Sequence, residues 1–234
     1  MQLSTRPASH LSLILLGTLA LYGCAPNIAI DESERGYLKQ ASAIPVVLNS
    51  LLGSGNLIVP NWRDALAGPG GVYVAVKRGK NQSRKMDIPH ILAPLRDRFI
   101  SRLKNETGIY NFKIENDPIV NTFSDTWIPV EDLKAKLGNT VVLEFNGEAR
   151  ARAVVNGTPF VKNHSVVRYF AHARFVRLDD GKTLWETHCE ARQLERINFE
   201  SLMANEGALL KNWLEKSAHE CAKQMSDHFI GRGA

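Results

Sequence analysis

The amino-acid sequence predicts an α/β (α+β) fold, in which helices pack on one face of a mixed sheet of about five strands. Three long strand patterns between residues 141 and 192 alternate apolar and polar side chains, so each predicted strand has one buried face. A helical pattern at 199–229 repeats apolar residues every three or four positions and supplies a layer to cover those faces. The complete predicted order is β-α-β-α-β-β-β-α.

The first half of this order is predicted from shorter segments. The β-branched run at 72–76 follows glycines and is typical of a buried strand. A helix is predicted from Asp87 to Gly108, because its apolar residues recur every three or four positions. Alternation at 110–114 predicts the second strand, and Pro129 and Gly138 bound a short second helix.

Two of the three long strands are joined by Asp179-Asp180-Gly181, a loop whose glycine suits a type I turn with a G1 bulge. In that register Ala171 faces Cys189 on the apolar side of the hairpin. Cys221 lies on the apolar stripe of the final helix, which must pack on the same side. We therefore predict a disulfide bond between Cys189 and Cys221, with two buried free thiols as the alternative.

The same register places His172 opposite His188 on the charged side of the hairpin. Two facing imidazoles suit a metal ion, but the sequence offers no third ligand beside them. A solvated histidine pair is therefore the preferred interpretation, and no metal or cofactor is predicted.

The N-terminus has the features of a secretory signal peptide. Arg6 precedes an apolar run at 11–21, which is too short to span a bilayer. The run ends in Leu21-Tyr22-Gly23-Cys24, which resembles the lipobox of bacterial lipoproteins. This resemblance implies cleavage before Cys24, a diacylglyceryl group on its sulfur and an acylated amine, with palmitate-type chains that together hold a protein firmly in a membrane. An ordinary signal peptide with an accidental cysteine is the alternative.

The residues after Cys24 also indicate a location. They lack an aspartate next to the cysteine, which resembles the outer-membrane class of lipoproteins and implies a lipid anchor on the periplasmic side. That compartment is oxidising and permits a disulfide bond. The predicted organisation is a signal peptide at 1–23, a lipidated tether and N-terminal packing segment at 24–70, and one globular domain at 71–230.

The body of the chain carries a second resemblance. Its element order, the segment RFVRLDDGKTLWE at 174–186 and the closing helix resemble the envelope lipoproteins related to CsgG, the TolB N-terminal domain and the LpoB/PelC group. The resemblance implies a non-catalytic accessory or docking component of an envelope machine for secretion, export or cell-wall synthesis. It also implies a protein partner in the envelope and is compatible with an oligomer.

Motifs of catalysis and nucleotide binding are missing from the sequence, which contains no G-x-S-x-G, H-E-x-x-H, P-loop or G-x-G-x-x-G pattern. We therefore predict that the protein is not an enzyme. The formal net charge of +5 is mild, and together with export it argues against nucleic acid as a partner.

A basic segment gives the alternative function. Five bases and no acid occupy residues 77–85, which are predicted to form the loop between the first strand and the first helix: Lys77, Arg78, Lys80, Arg84 and Lys85. A solvated loop is one interpretation of this segment. The other is binding of an anionic lipid or polymer, since each base near an anionic membrane contributes about 1 kcal/mol.

Overall fold

The computed structural model describes residues 27–51, 57–59, 69–115, 119–121, 127–154, 164–195 and 197–232. Five helices and seven strands occur in these ranges. In chain order they are α1 (Glu32–Gln40), β1 (Ile44–Leu51), β2 (Leu57–Ile58), α2 (Pro69–Lys85), α3 (Ala93–Thr107), β3 (Phe112–Ile114), β4 (Ile119–Asn121), α4 (Val130–Leu137), β5 (Val141–Val154), β6 (His164–Arg177), β7 (Thr183–Glu195) and α5 (Phe199–Ile230).

The strands form one mixed sheet in the order β3-β1-β5-β6-β7. β1 pairs in parallel with β3 and β5, whereas β5, β6 and β7 are antiparallel neighbours. β2 pairs with β5 further along that strand, and β4 pairs with the end of β1. The predicted α/β class with a mixed sheet is confirmed.

One predicted strand is wrong. Residues 72–76 belong to helix α2, and the strand that pairs in parallel with β5 is instead Ile44–Leu51. The physical reason is that this segment packs against the sheet on one side only: Ala75 and Val76 are buried beside Ile58 of β2, whereas Tyr73 and Val74 are exposed. A short apolar run fits a buried strand or a one-sided helix equally well.

α3 and α5 pack on the same face of the sheet, as predicted. Aromatic side chains of both layers meet in the core, where the ring of Phe99 in α3 lies 5.6 Å from that of Phe145 in β5. Phe229 of α5 lies 5.5 Å from Phe175 of β6. At one end of the opposite face, the short helix α4 packs Leu133 into a small cluster with residues of β1, β5 and β6.

The final helix is interrupted, although the sequence predicts it to be continuous. Residues 204–207 leave the helical conformation, and Asn205, Glu206 and Gly207 have positive φ angles. Met86, which follows α2, lies against this break, and a Cβ on Gly207 would overlap its sulfur atom. The glycine therefore provides both the left-handed backbone and the space that Met86 occupies.

The predicted register of the β6–β7 hairpin is confirmed from the Phe175–Trp185 pair outward, but next to the turn a register shift between Phe175 and Val176 places Val176 opposite Thr183. Ala171 faces Cys189 and His172 faces His188, and Gly181 in the turn has a φ of 71°. Cys189 is joined to Cys221 of α5 by the disulfide bond that this register predicts, with the two Cα atoms 5.4 Å apart.

Candidate functional site

The five predicted anionic-surface residues lie on a helix rather than in a loop, because α2 extends to Lys85. Arg78 is directed to the body of the protein, where its Nη1 donates a hydrogen bond to the carbonyl of Val59 at 2.7 Å. The other four side chains are exposed or half-exposed. We call these four residues the basic face of α2: Lys77, Lys80, Arg84 and Lys85.

The basic face differs from the other basic helix of the protein in its partners. In α3, Arg98 pairs with Glu215 at 2.9 Å, and Arg102 pairs with Asp227 at 2.8 Å. Within the described part of the chain, no acidic side chain forms an ion pair with the basic face. Its positive charge is therefore not neutralised by those residues, whereas the arginines of α3 serve to join α3 to α5.

Apolar side chains continue the same side of α2 toward its start. Tyr73 is 60% exposed and Val74 is 46% exposed, so two large apolar side chains lie next to each other at the surface. Tyr73 lies four residues before Lys77, so the two share one side of the helix. Exposed aromatic and aliphatic groups beside bases are characteristic of helices that bind at the surface of anionic membranes.

The opposite side of α2 is fixed to the sheet through β2. The amide of Val59 donates to the carbonyl of Ala75 at 3.3 Å. A Cβ on Gly79 would overlap the carbonyl oxygen of Leu57, so only glycine permits this approach. The helix is therefore held in direct backbone contact with the edge of the sheet.

The N-terminal chain is bound to the other edge. Ile28 forms an antiparallel bridge with Glu186 of β7, with amide-to-carbonyl distances of 2.9 and 3.1 Å. The hydroxyl of Thr187 donates to Oδ1 of Asn27 at 3.1 Å. Cys24, the predicted lipidation site, lies outside the described residues, only three positions before Asn27.

A buried ion pair holds the segment before α4 against the sheet. Glu144 is fully buried, and Arg174 approaches it at 2.7 Å. The amide of Ile128 also donates to Glu144 at 2.9 Å, and the guanidinium of Arg174 stacks on Trp127, 4.6 Å from its ring centre. Burial raises the pKa of Glu144, while Arg174 opposes that rise. These contacts fix the segment at 127–128 to β5 and β6.

The histidine pair does not form a metal centre in the described residues. The rings of His172 and His188 lie 5.9 Å apart, but no cluster of three or more suitable ligands occurs in those ranges. Burial lowers the pKa of His172, and the nearby His188 adds to the effect. Both causes favour the neutral form of the His172 ring.

The groove between α3 and α5 contains two open cavities of about 490 and 550 Å³. Arg98 borders both, but its charge is paired with Glu215 of α5. The groove therefore presents no unpaired arginine of α3 to a ligand. Within the described ranges, no helix is both long and apolar enough to cross a membrane.

Comparisons with known proteins identify no family. No family model matches the chain, and no curated protein is similar to it in sequence. Among solved structures, the PelC dodecamer from Paraburkholderia phytofirmans is 13% identical, with 81% of this chain and 90% of that chain covered and a TM-score of 0.31. Lipoprotein GNA1162 from Neisseria meningitidis is 14% identical, with 74% and 96% covered and a TM-score of 0.32. Protein XCC0632 from Xanthomonas campestris is 10% identical, with 83% and 88% covered and a TM-score of 0.35. Similarities of this size carry no functional argument.

Proposed function

We propose that the protein is a lipoprotein anchored to the periplasmic side of the bacterial outer membrane, where it acts as a non-catalytic accessory or docking component of an envelope machine. One observation carries this proposal. Asn27 is bound to β7 through Thr187, Cys24 precedes it by three positions, and three residues span at most about 11 Å. A lipid on Cys24 would therefore hold the body directly at the membrane surface, where a docking component must act.

Two further features support the location. Leu21-Tyr22-Gly23-Cys24 resembles a lipobox, which is the recognition sequence for the modification. The disulfide bond between Cys189 and Cys221 suits the oxidising compartment that an exported lipoprotein enters.

A second candidate function is favoured by α2. The basic face lacks acidic partners in the described ranges, and Tyr73 and Val74 are exposed beside it. This combination suits contact with an anionic lipid or polymer. The two functions are compatible, because a protein that docks on a machine at the membrane also contacts the membrane.

Replacement of the predicted lipidation site tests the first proposal. In the native host the protein should incorporate labelled palmitate and partition into detergent, and Cys24→Ser should abolish both. The double variant Cys189→Ala/Cys221→Ala is the control, since it retains Cys24 and should still be labelled. Palmitate incorporation that survives Cys24→Ser would contradict the proposal.

Crosslinking in whole cells separates the two functions. A docking component should give a stoichiometric crosslinked complex with another envelope protein, and that complex should be reduced by Cys24→Ser. A protein that binds only lipid or polymer should give no such complex.

A further inference from the structure

We infer that the end of the sheet toward which β5 runs faces the membrane. There the basic face of α2 binds anionic phospholipid headgroups in the same leaflet that holds the lipid anchor. This inference rests on the proposed lipidation of Cys24. It adds a second point of attachment and a fixed orientation of the body. Four structural observations lead to it.

The first observation is the position of α2 along the sheet. β2, to which α2 is bound, pairs with β5 at Ala149 and Arg150, in the second half of that strand. α2 is therefore at the end of the sheet toward which β5 runs. The β6–β7 turn at 179–181 is at the opposite end, because Arg177 just before it pairs with Val141 at the start of β5.

The second observation is the direction of the N-terminal chain. The bridge between Ile28 and Glu186 is antiparallel, so the chain before Ile28 runs toward higher residue numbers of β7. The contact from Asn27 to Thr187 follows this direction. β7 is parallel to β5 in the sheet, since both are antiparallel to β6. From Ile28 to Asn27 the chain is thus directed toward the end that carries α2.

The third observation is distance. Glu186 of β7 faces Arg174 of β6, which in turn faces Glu144 of β5. Glu144 is five positions before Ala149, where β2 pairs with β5. Five residues of strand correspond to about 17 Å, of which the chain before Asn27 can cover about 11 Å. Across the sheet, β2 and Ile28 are separated by four strand spacings, or about 19 Å. An anchor on Cys24 and the basic face are thus close enough to contact one patch of membrane.

The fourth observation is the distribution of charge. The end opposite to α2 carries exposed charges of both signs, with Asp179 and Asp180 in the turn and Glu131, Asp132, Lys134 and Lys136 on α4. The bases of α2 have no acidic residue in their own helix, and the exposed acids near this end of the sheet, Asp87, Glu200 and Glu206, are fewer than the four bases of the basic face. An anionic surface therefore attracts the α2 end more strongly than the opposite end.

Site-specific fluorescence quenching of the lipidated full-length protein tests the orientation. An environment-sensitive dye is attached at Tyr73→Cys or, for comparison, at Asp180→Cys in the far turn. The protein is reconstituted in vesicles of phosphatidylethanolamine and phosphatidylglycerol that contain a headgroup quencher. We expect strong quenching at position 73 and none at position 180. Equal quenching, or quenching at position 180 alone, overturns the inference.

Charge reversal tests the chemistry. Lys77→Glu/Arg84→Glu should abolish quenching at position 73, whereas Lys134→Glu/Lys136→Glu on α4, which changes the net charge equally, should leave it intact. Vesicles of phosphatidylcholine should likewise give no quenching at position 73. Quenching that is independent of anionic lipid overturns the inference. Binding of an anionic polymer to the basic face without binding of anionic lipid overturns it as well.

Protein that does not float with the vesicles contradicts both the lipid anchor and the inference, whereas floating protein without quenching at position 73 contradicts the inference alone.

Discussion

His90 shows how a single buried side chain links this fold to pH. Its Nδ1 accepts a hydrogen bond from the amide of Leu92 at 3.3 Å, while its Nε2 is buried without a hydrogen-bond partner in the described structure. Burial lowers the pKa of His90 to about 4, and the charge of Arg96 adds to the effect. The ring is therefore neutral in the folded protein over the whole neutral range.

The consequence is a loss of stability in mild acid. Between pH 6.5 and about 4 the unfolded chain binds a proton at this position and the folded protein does not, so stability falls as the pH falls. The loss from His90 should approach about 3 kcal/mol near pH 4 and should vanish above pH 6.5. Burial lowers the pKa of His172 and His228 too, which adds in the same direction.

Urea unfolding at pH 4.5 and pH 7.5 measures this effect. His90→Asn keeps an acceptor for the Leu92 amide but cannot be protonated, so its free energy of unfolding should depend less on pH than that of the wild type. Identical pH dependence of the two proteins would contradict the assignment to His90.

At the scale of elements, the break in α5 gives a specific prediction. Gly207 has a φ of 70°, and a Cβ there would overlap the sulfur of Met86. Gly207→Ala should therefore destabilise the protein by about 1–2 kcal/mol, because alanine is strained in the left-handed region and must also displace Met86. Chemical denaturation measures the change.

Gly36 provides a matched control for this substitution. It lies within helix α1, and a Cβ there would have no neighbour within 4 Å. Gly36→Ala should stabilise the protein by up to about 1 kcal/mol, because alanine loses less backbone entropy in a helix. Equal effects of the two substitutions would show that the break does not depend on the backbone freedom of Gly207.

Sequence patterns predict some elements of this protein better than others, and α2 shows the limit. The long strands β5, β6 and β7 have enough alternation to fix their faces, and burial of the apolar face selects the register that contains the disulfide bond. The register shift between Phe175 and Val176, next to the turn, is not predicted by the turn glycine. The run at 72–76 has only five residues, so the same pattern fits a strand and a helix. Its helical state is decided by contact with β2, which sequence alone does not reveal.

The candidate site was predictable in its residues but not in its arrangement. The cluster of bases at 77–85 is visible in the sequence. Its separation into Arg78, which is directed to the body of the protein, and a four-residue basic face depends on the hydrogen bond that Arg78 donates to the carbonyl of Val59. The bases of α2 and the arginines of α3 have similar spacing in the sequence, and only packing against α5 shows that Arg98 and Arg102 are paired. The alternation of β5 and β6 predicts that Glu144 and Arg174 lie on the polar face, and it does not reveal that they are buried, because a buried ion pair and a solvated one have the same alternation.

For the whole molecule, the disulfide bond joins the two layers of the fold. Cys189 belongs to the edge strand β7 and Cys221 to α5, 32 positions further along the chain. Closing a loop of this length should stabilise the protein by about 3–4 kcal/mol on the chain-entropy estimate. A reducing agent should therefore lower the urea midpoint of the wild type.

The double variant Cys189→Ala/Cys221→Ala isolates this contribution. Its midpoint should already be low and should not change further on reduction. Mass spectrometry of exported wild-type protein under non-reducing conditions gives an independent measurement, and free thiols at both positions in folded material would contradict the bond.

The short distance from Cys24 to Asn27 also sets a ceiling on how far from the bilayer a lipidated protein could act. A folded chain of about 200 residues has a radius of gyration of roughly 17 Å and so a diameter of roughly 45 Å. With at most about 11 Å of chain between Cys24 and Asn27, a body of that mean diameter would reach roughly 55 Å above the headgroups. A partner fixed at a greater height could not be touched. Any partner must therefore come within that height of the leaflet, either as a membrane protein or as a periplasmic protein that approaches the membrane.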